Sequence, residues 1–237
     1  MLVMLLIGLV FGLWHAFDLD HVGAMITFVA AGDSSRGQAI KYSALWATGH
    51  ALMLLLMTLL IMALHVEVSG QLASIMEFMV GAMLVVLALD ALRRIRSMKL
   101  HSHRHFHGGN EVHEHLHVHL RSETHVHRSH MHAHDAGDQY ALRALLVGLV
   151  HGLAGSAALT LVMLSSATSV GMGILYVIVF SLGAMAGMVV LSMFIATQLR
   201  RTANCSFELA SRVRGYGALV VLSVGLFMMT RIGLELV

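Results

Sequence analysis

The sequence predicts an all-α membrane protein, with six transmembrane helices arranged as two inverted three-helix repeats. Three observations carry this expectation. The 237 residues are 57% hydrophobic and only 12% charged, where soluble domains carry about 25% charge, and mean hydropathy is +0.78. Six apolar segments, approximately 2–31, 41–64, 74–96, 141–165, 171–198 and 214–235, are each long enough to cross ~30 Å of hydrocarbon. Basic residues occupy alternate connections.

The first segment opens on an apolar run with no basic flank and no small-x-small cleavage pattern, so it reads as a retained span and not a signal peptide. The connections after segments 1, 3 and 5, with their helix ends, hold 14 of the 15 Lys and Arg, from Arg36 and Lys41 through the Arg93–Arg143 group to Arg200, Arg201, Arg212 and Arg214. The connections after segments 2 and 4 hold none, and Arg231 stands apart near the C-terminus. Positive charge faces the cytoplasm, which expects those three connections inside and both termini outside a cell (inner) membrane. Net charge is only +2 and no basic face is concentrated, which excludes a nucleic-acid footprint. Cys205 is the single cysteine, so no internal disulfide forms, and proline is absent. Any helix break must come from glycine or from a polar side chain inside a span.

The two halves resemble each other. Gly8-Leu9-Val10-Phe11-Gly12-Leu13 recurs as Gly148-Leu149-Val150-His151-Gly152-Leu153, and Gly81–Leu87 recurs as Gly217–Leu222. Units of three spans must point in opposite directions, and inverted repeats are a transporter architecture with the substrate site near the midplane. The expected organisation is a first membrane repeat over 1–96, a flexible cytoplasmic loop over 97–140 and a second repeat over 141–237.

The strongest functional signal is His15-Ala16-Phe17-Asp18-Leu19-Asp20-His21, inside the first span. Ionisable groups at membrane depth cost at least ~2.5 kcal/mol each on insertion scales. Imidazole and carboxylate together point to a divalent transition metal. On an unbroken helix His15, Asp18 and His21 share one face and Asp20 points away; local unwinding over 18–21 would bring Asp20 in. The second span carries Gly49-His50, a further neutral imidazole beside a residue that allows close helix approach. In the fourth span His151, Ser156 and Thr160 stand among small residues and are expected to line a path. Asp90 is expected to pair with Arg93 or Arg94 along its helix. Glu77, near an outer end, is read as solvated or as drawing cations. The 18 methionines lack a repeated spacing and read as apolar filling.

Residues 101–134 hold 13 histidines among polar neighbours. Such tracts bind transition metals without building one fixed site. In the cytoplasm this loop would buffer incoming ions, gather ions for export or sense load.

The pattern His15, four residues, Asp20-His21, followed in the next span by Gly49-His50, resembles the nickel/cobalt transporter (NiCoT/NicO) superfamily. The resemblance implies transport of Ni²⁺ or Co²⁺ as substrate, with no resident cofactor, and functional roles for His15, Asp20, His21 and His50. The residues themselves leave Asp18 and Asp20 both open. Gly155-Ser156-Ala157 departs from the acidic residues typical of the family's fourth span. Six spans and a histidine-rich loop are more similar to the shorter relatives, some of which export metal.

Together these readings expect a non-enzymatic transporter, nickel first and cobalt second, with a cytoplasmic metallochaperone as a partner. Uptake is favoured over proton-coupled efflux, because a dication moving inward gains about 4.6 kcal/mol per 100 mV. A metal-sensing or storage role for the loop is the alternative. An intramembrane hydrolase using Ser156 and His151 is disfavoured, because on one helix the two residues point about 140° apart.

Overall fold

The computed structural model describes residues 2–30, 36–64, 69–106, 112–120, 139–153 and 169–235. Among them are seven helices: α1 (Leu2–His15), α2 (Leu19–Ala30), α3 (Arg36–Leu64), α4 (Gly70–Ser97), α5 (139–153), α6 (Val170–Cys205) and α7 (Phe207–Glu235). Between α4 and α5 lies an antiparallel pair of strands, β1 (Met98–Phe106) and β2 (Val112–Leu120).

The apolar runs dictate the helices, and polar residues dictate where they stop. Helices α3, α4, α6 and α7 are each long and apolar enough to cross a membrane. Helices α1 and α2 form one bent span, turned by 53°. The protein is therefore a multi-pass helical membrane protein, with four such spans among the described residues, or five counting the bent pair. Of the expected fourth span, 141–165, only the part up to 153 is described, and it is helical. Large apolar side chains cover the outside of the helices, including Leu6, Val10 and Trp14 on α1, Leu56 on α3 and Phe194 on α6. That outward display is what a body solvated by lipid shows.

The first span breaks at Ala16–Asp18, without glycine or proline. The Phe17 amide bonds to Trp14 O at 2.9 Å and the Asp18 amide to His15 O at 3.1 Å, tightening the last turn of α1. The Asp18 carbonyl then accepts from Val22 N at 2.9 Å and starts α2. Helix α1 has 14 residues and α2 has 12, so at 1.5 Å per residue the break falls about halfway across the bilayer.

Two reciprocal crossings hold the bundle. Helix α1 packs on α6 and α5 packs on α3, and glycine lets the backbones touch. A β-carbon at Gly12 would overlap the Phe180 carbonyl and lie 3.0 Å from Ala184 N; one at Gly148 would overlap the Trp46 carbonyl and lie 3.1 Å from His50 N. In return, Gly183 lies against Leu9 and Leu13, and Gly49 against Leu145 and Leu149. Helices α4 and α7 cross in the same manner through Gly81 and Gly225. Bare backbone at these points lets the helices approach more closely than ordinary side chains allow.

At the basic end Asp90 accepts from Arg94 at 3.0 Å, as its spacing on α4 suggested, and also from Arg143 of α5 at 2.8 Å. Arg94 further bonds the Tyr140 hydroxyl. This network ties the start of α5 to α4. Within 97–140, β1 and β2 pair so that His101, His103 and His105 stand across from His117, His115 and His113.

Glycine substitutions test the crossings. Gly12→Val and Gly148→Val should each lower thermal stability in detergent by at least ~1–3 kcal/mol, the usual overpacking range. Gly70→Ala and Gly215→Ala, with open space around the new methyl group, should leave the melting temperature within a degree or two by circular dichroism.

Candidate metal centre

The break in the first span sets the centre's geometry. Because α1 ends at His15 and α2 begins at Leu19, Asp20 falls in the first turn of α2 and His21 turns inward beside it. His50 lies near the middle of the 29-residue α3. His151 reaches the same point from α5, delivered by the Gly148 crossing. Of the five histidines outside the loop tract, His15, His21, His50 and His151 converge; the fifth, His65, lies outside the described residues.

The four rings form a compact group. His21 is central, with ring centres 4.4 Å from His15, 5.1 Å from His50 and 4.2 Å from His151. His50 stands 5.6 Å from His15 and 5.7 Å from His151. His21, His50 and His151 are fully buried, while the His15 side chain retains 15% exposure.

Each acidic residue sits behind an imidazole. Asp18 Oδ2 lies 2.7 Å from His15 Nδ1. Asp20 Oδ1 lies 3.1 Å from His21 Nδ1 and accepts from the His21 amide at 3.0 Å, while its Oδ2 lies 3.0 Å from His151 Nε2. A carboxylate on one ring nitrogen holds the proton there and leaves the lone pair on the other. The opposite nitrogens, His15 Nε2, His21 Nε2 and His151 Nδ1, together with both nitrogens of His50, are buried and have no hydrogen-bond partner among the described residues.

Two groups satisfy the distances of a metal site: His15, His21 and His50, and Asp20, His21 and His151. Within each, the ligand atoms lie within 4.8 Å of one another. Imidazole nitrogens suit nickel, cobalt, copper and zinc, and carboxylate oxygen is a harder donor. All of the site residues that the sequence singled out and the structure describes therefore come together. Asp20 enters because the helix breaks. Ser156 and Thr160 lie outside the described residues, and with them the Ser156–His151 pair. Glu77 is exposed on α4, away from the group.

Trp46 was missed by the sequence reading. It is fully buried one helical turn before His50, with its ring 5.4 Å from His21 and 5.3 Å from His151, and its Nε1 has no partner among the described residues. On its far side is a narrow cavity, with room for about one water, between Met25, Tyr42, Ser43 and Ser192. A lone tryptophan in an apolar helix carries no signal that separates it from core packing.

With this geometry in view, comparison with known proteins is informative. The chain is similar to a urease accessory protein. That relative is UreH of Bacillus sp. (strain TB-90), 29% identical over 192 residues, covering 79% of this chain and 74% of the relative. No family model matches the chain, and no solved structure does.

Trp46 provides a direct readout. In a Trp14→Phe background, which removes the exposed Trp14, an ion held by the imidazoles should quench the remaining tryptophan emission. Adding His21→Ala should abolish the quenching; full quenching in that double variant would place the ion elsewhere.

Proposed function

We propose that the protein carries a first-row divalent cation, Ni²⁺ first and Co²⁺ second, inward across the cytoplasmic membrane. His15, His21 and His50 are the primary ligands, and Asp18 and Asp20 orient His15 and His21. The observation that carries this reading is the set of buried, unpartnered ring nitrogens converging halfway through a membrane bundle. An unsatisfied buried polar group costs about 1–3 kcal/mol, and several together are retained because a ligand satisfies them. Similarity to an accessory protein of urease is coarse support for nickel.

The helix crossings support alternating access by two inverted repeats. The contacts of Gly12 with Phe180 and Ala184 match those of Gly148 with Trp46 and His50, and Gly183 with Leu9 and Leu13 matches Gly49 with Leu145 and Leu149. Gly81 meets Met228 and Met229 as Gly225 meets Leu84 and Val85. This pattern pairs Gly12 with Gly148, four residues from the pairing the sequence suggests. Rocking one half against the other about such crossings opens the centre to each side in turn. Trp46 stands between the imidazoles and the Ser43–Ser192 cavity and closes that route. The His-rich strands on the cytoplasmic face receive released ions and pass them to a metallochaperone.

Proteoliposomes with an inside-negative potential test the reading. Nickel should accumulate inside, and His21→Ala and His50→Ala should reduce accumulation to background. Asp18→Asn should raise the half-saturating nickel concentration about 10–100-fold, the usual effect of losing a carboxylate behind a ligating histidine. Cys205→Ser should change nothing. Wild-type rates in the histidine variants would refute the site, and export driven by a proton gradient would reverse the direction.

A further inference from the structure

We infer that the membrane centre contains two overlapping cation sites that share His21, and that the ion passes between them. The first is His15–His21–His50, already assigned above. The second is Asp20–His21–His151, a carboxylate and two imidazoles whose ligand atoms also lie within 4.8 Å of one another. This inference rests on the transport reading and extends it to His151.

Three observations carry it. The first is that the two ring nitrogens of His21 stand in different settings. Its Nδ1 faces Asp20 at 3.1 Å, and its Nε2 is buried and has no partner among the described residues, which leaves Nε2 for the first group. A neutral imidazole has a single lone pair, so His21 ligates in one group or the other and not in both. The sites therefore alternate.

The second is the position of His151. Its Nε2 lies 3.0 Å from the same carboxylate, its Nδ1 is buried without a partner among the described residues, and its ring centre lies 4.2 Å from that of His21, tilted by 57°. Satisfying Asp20 alone requires only one of its nitrogens. Helix packing does not require a histidine here either, because the close approach of α5 to α3 is made by Gly148 and Gly152.

The third is that His15 and His151 occupy matching places on matching crossings. Each stands three residues beyond the glycine, Gly12 or Gly148, that meets the partner backbone in the same manner. They flank His21 at 4.4 and 4.2 Å. The first half thus supplies the outer histidine of the first site, and the second half that of the second site.

The transfer balances in protons. In the first site His21 binds through Nε2 and donates Nδ1–H to Asp20. When the ion moves, its bonds to His15, His21 Nε2 and His50 break, and bonds to Asp20, His21 Nδ1 and His151 Nε2 form. The proton of His21 relocates from Nδ1 to Nε2, and that of His151 from Nε2 to Nδ1. Each ring keeps one proton. The second site is also the harder of the two, since a carboxylate oxygen replaces an imidazole, which weakens the hold on a borderline ion before it regains water.

Nickel binding to the full-length protein in lipid nanodiscs tests this, alongside transport in proteoliposomes. His15→Ala removes only the first site and His151→Ala only the second. Each should still bind one nickel ion, His151→Ala close to wild-type affinity and His15→Ala about 10–100-fold more weakly, and each should lose transport at least about 10-fold. X-ray absorption should count three imidazoles around nickel in His151→Ala, and two imidazoles with added oxygen in His15→Ala. His21→Ala should bind none. His151→Gln, close in shape to histidine, should behave as His151→Ala does, and nickel bound by either certifies the fold. Loss of all binding in His15→Ala, or in both His151 variants, would show a single site and overturn the inference. So would wild-type transport in the His151 variants. Wild-type binding and transport in His15→Ala and His21→Ala would instead remove the transport reading itself.

Discussion

The structure depends on one constraint: imidazole nitrogens are held buried, and without partners among the described residues, at the depth where a bilayer is least forgiving of polarity. Water cannot satisfy them there, and a buried donor or acceptor without a partner is costly. The surrounding architecture serves to assemble them. His50 and His151 meet because bare glycine backbone lets α3 and α5 touch along Gly49, Gly148 and Gly152. His15 arrives because α1 lies against α6 by the equivalent contact at Gly12 and Gly183. His21 and Asp20 arrive because the first span breaks between them and His15. A side chain at any of these glycines would move a ligand by more than the fraction of an ångström that metal coordination tolerates.

How much of this was legible in the sequence follows from what local pattern encodes. The membrane class and the span limits depend on runs of apolar residues, and the helices of the structure follow those runs closely. His15, His21, His50 and the pair Asp18 and Asp20 stood out because titratable residues in apolar sequence have few uses. The choice between Asp18 and Asp20 was not legible. It depends on whether the helix continues, and Ala16-Phe17-Asp18 contains neither glycine nor proline to announce a stop. The stop comes instead from Asp18, whose carbonyl opens α2 while its carboxylate holds His15. Both acids then have work, one behind each imidazole. His151 was legible as a polar residue on a path, but its arrival against Asp20, 131 residues away in sequence, is a fact of tertiary packing. Asp90 was read correctly as the partner of Arg94, while its second partner, Arg143, lies across the interface with α5 and has no signature in spacing.

The position of the carboxylates bears on which cation the centre prefers. Carboxylate oxygens bound directly to an ion favour hard cations such as Mg²⁺ and Ca²⁺, which exceed transition metals in abundance. In the His15–His21–His50 group the carboxylates stand one imidazole back. They orient the rings and would raise the basicity of ligating nitrogens, yet an ion held there would meet nitrogen alone. Thiolate, which would favour Cu(I) or zinc, is absent from the group, since Cys205 lies exposed at the far end of α6. Donor type therefore narrows the choice to ions that accept imidazole, and geometry must separate nickel and cobalt from copper and zinc.

Charge balance explains why there are two carboxylates and not one or three. Among the described residues neither Asp18 nor Asp20 is paired with Lys or Arg; their ion-pair partners are His15, His21 and His151. With the imidazoles neutral and both carboxylates ionised, a single divalent cation would bring the centre to zero net charge. Moving a net charge into low dielectric is costly, so in the proposed cycle a centre that is neutral when loaded would lower the barrier for the step in which the ion is shut away from both sides. An empty centre with two charged carboxylates would close less readily, so in the proposed cycle the unloaded return would be the slower step. Under that proposal loading would favour closure and tie rocking of the two halves to the presence of substrate.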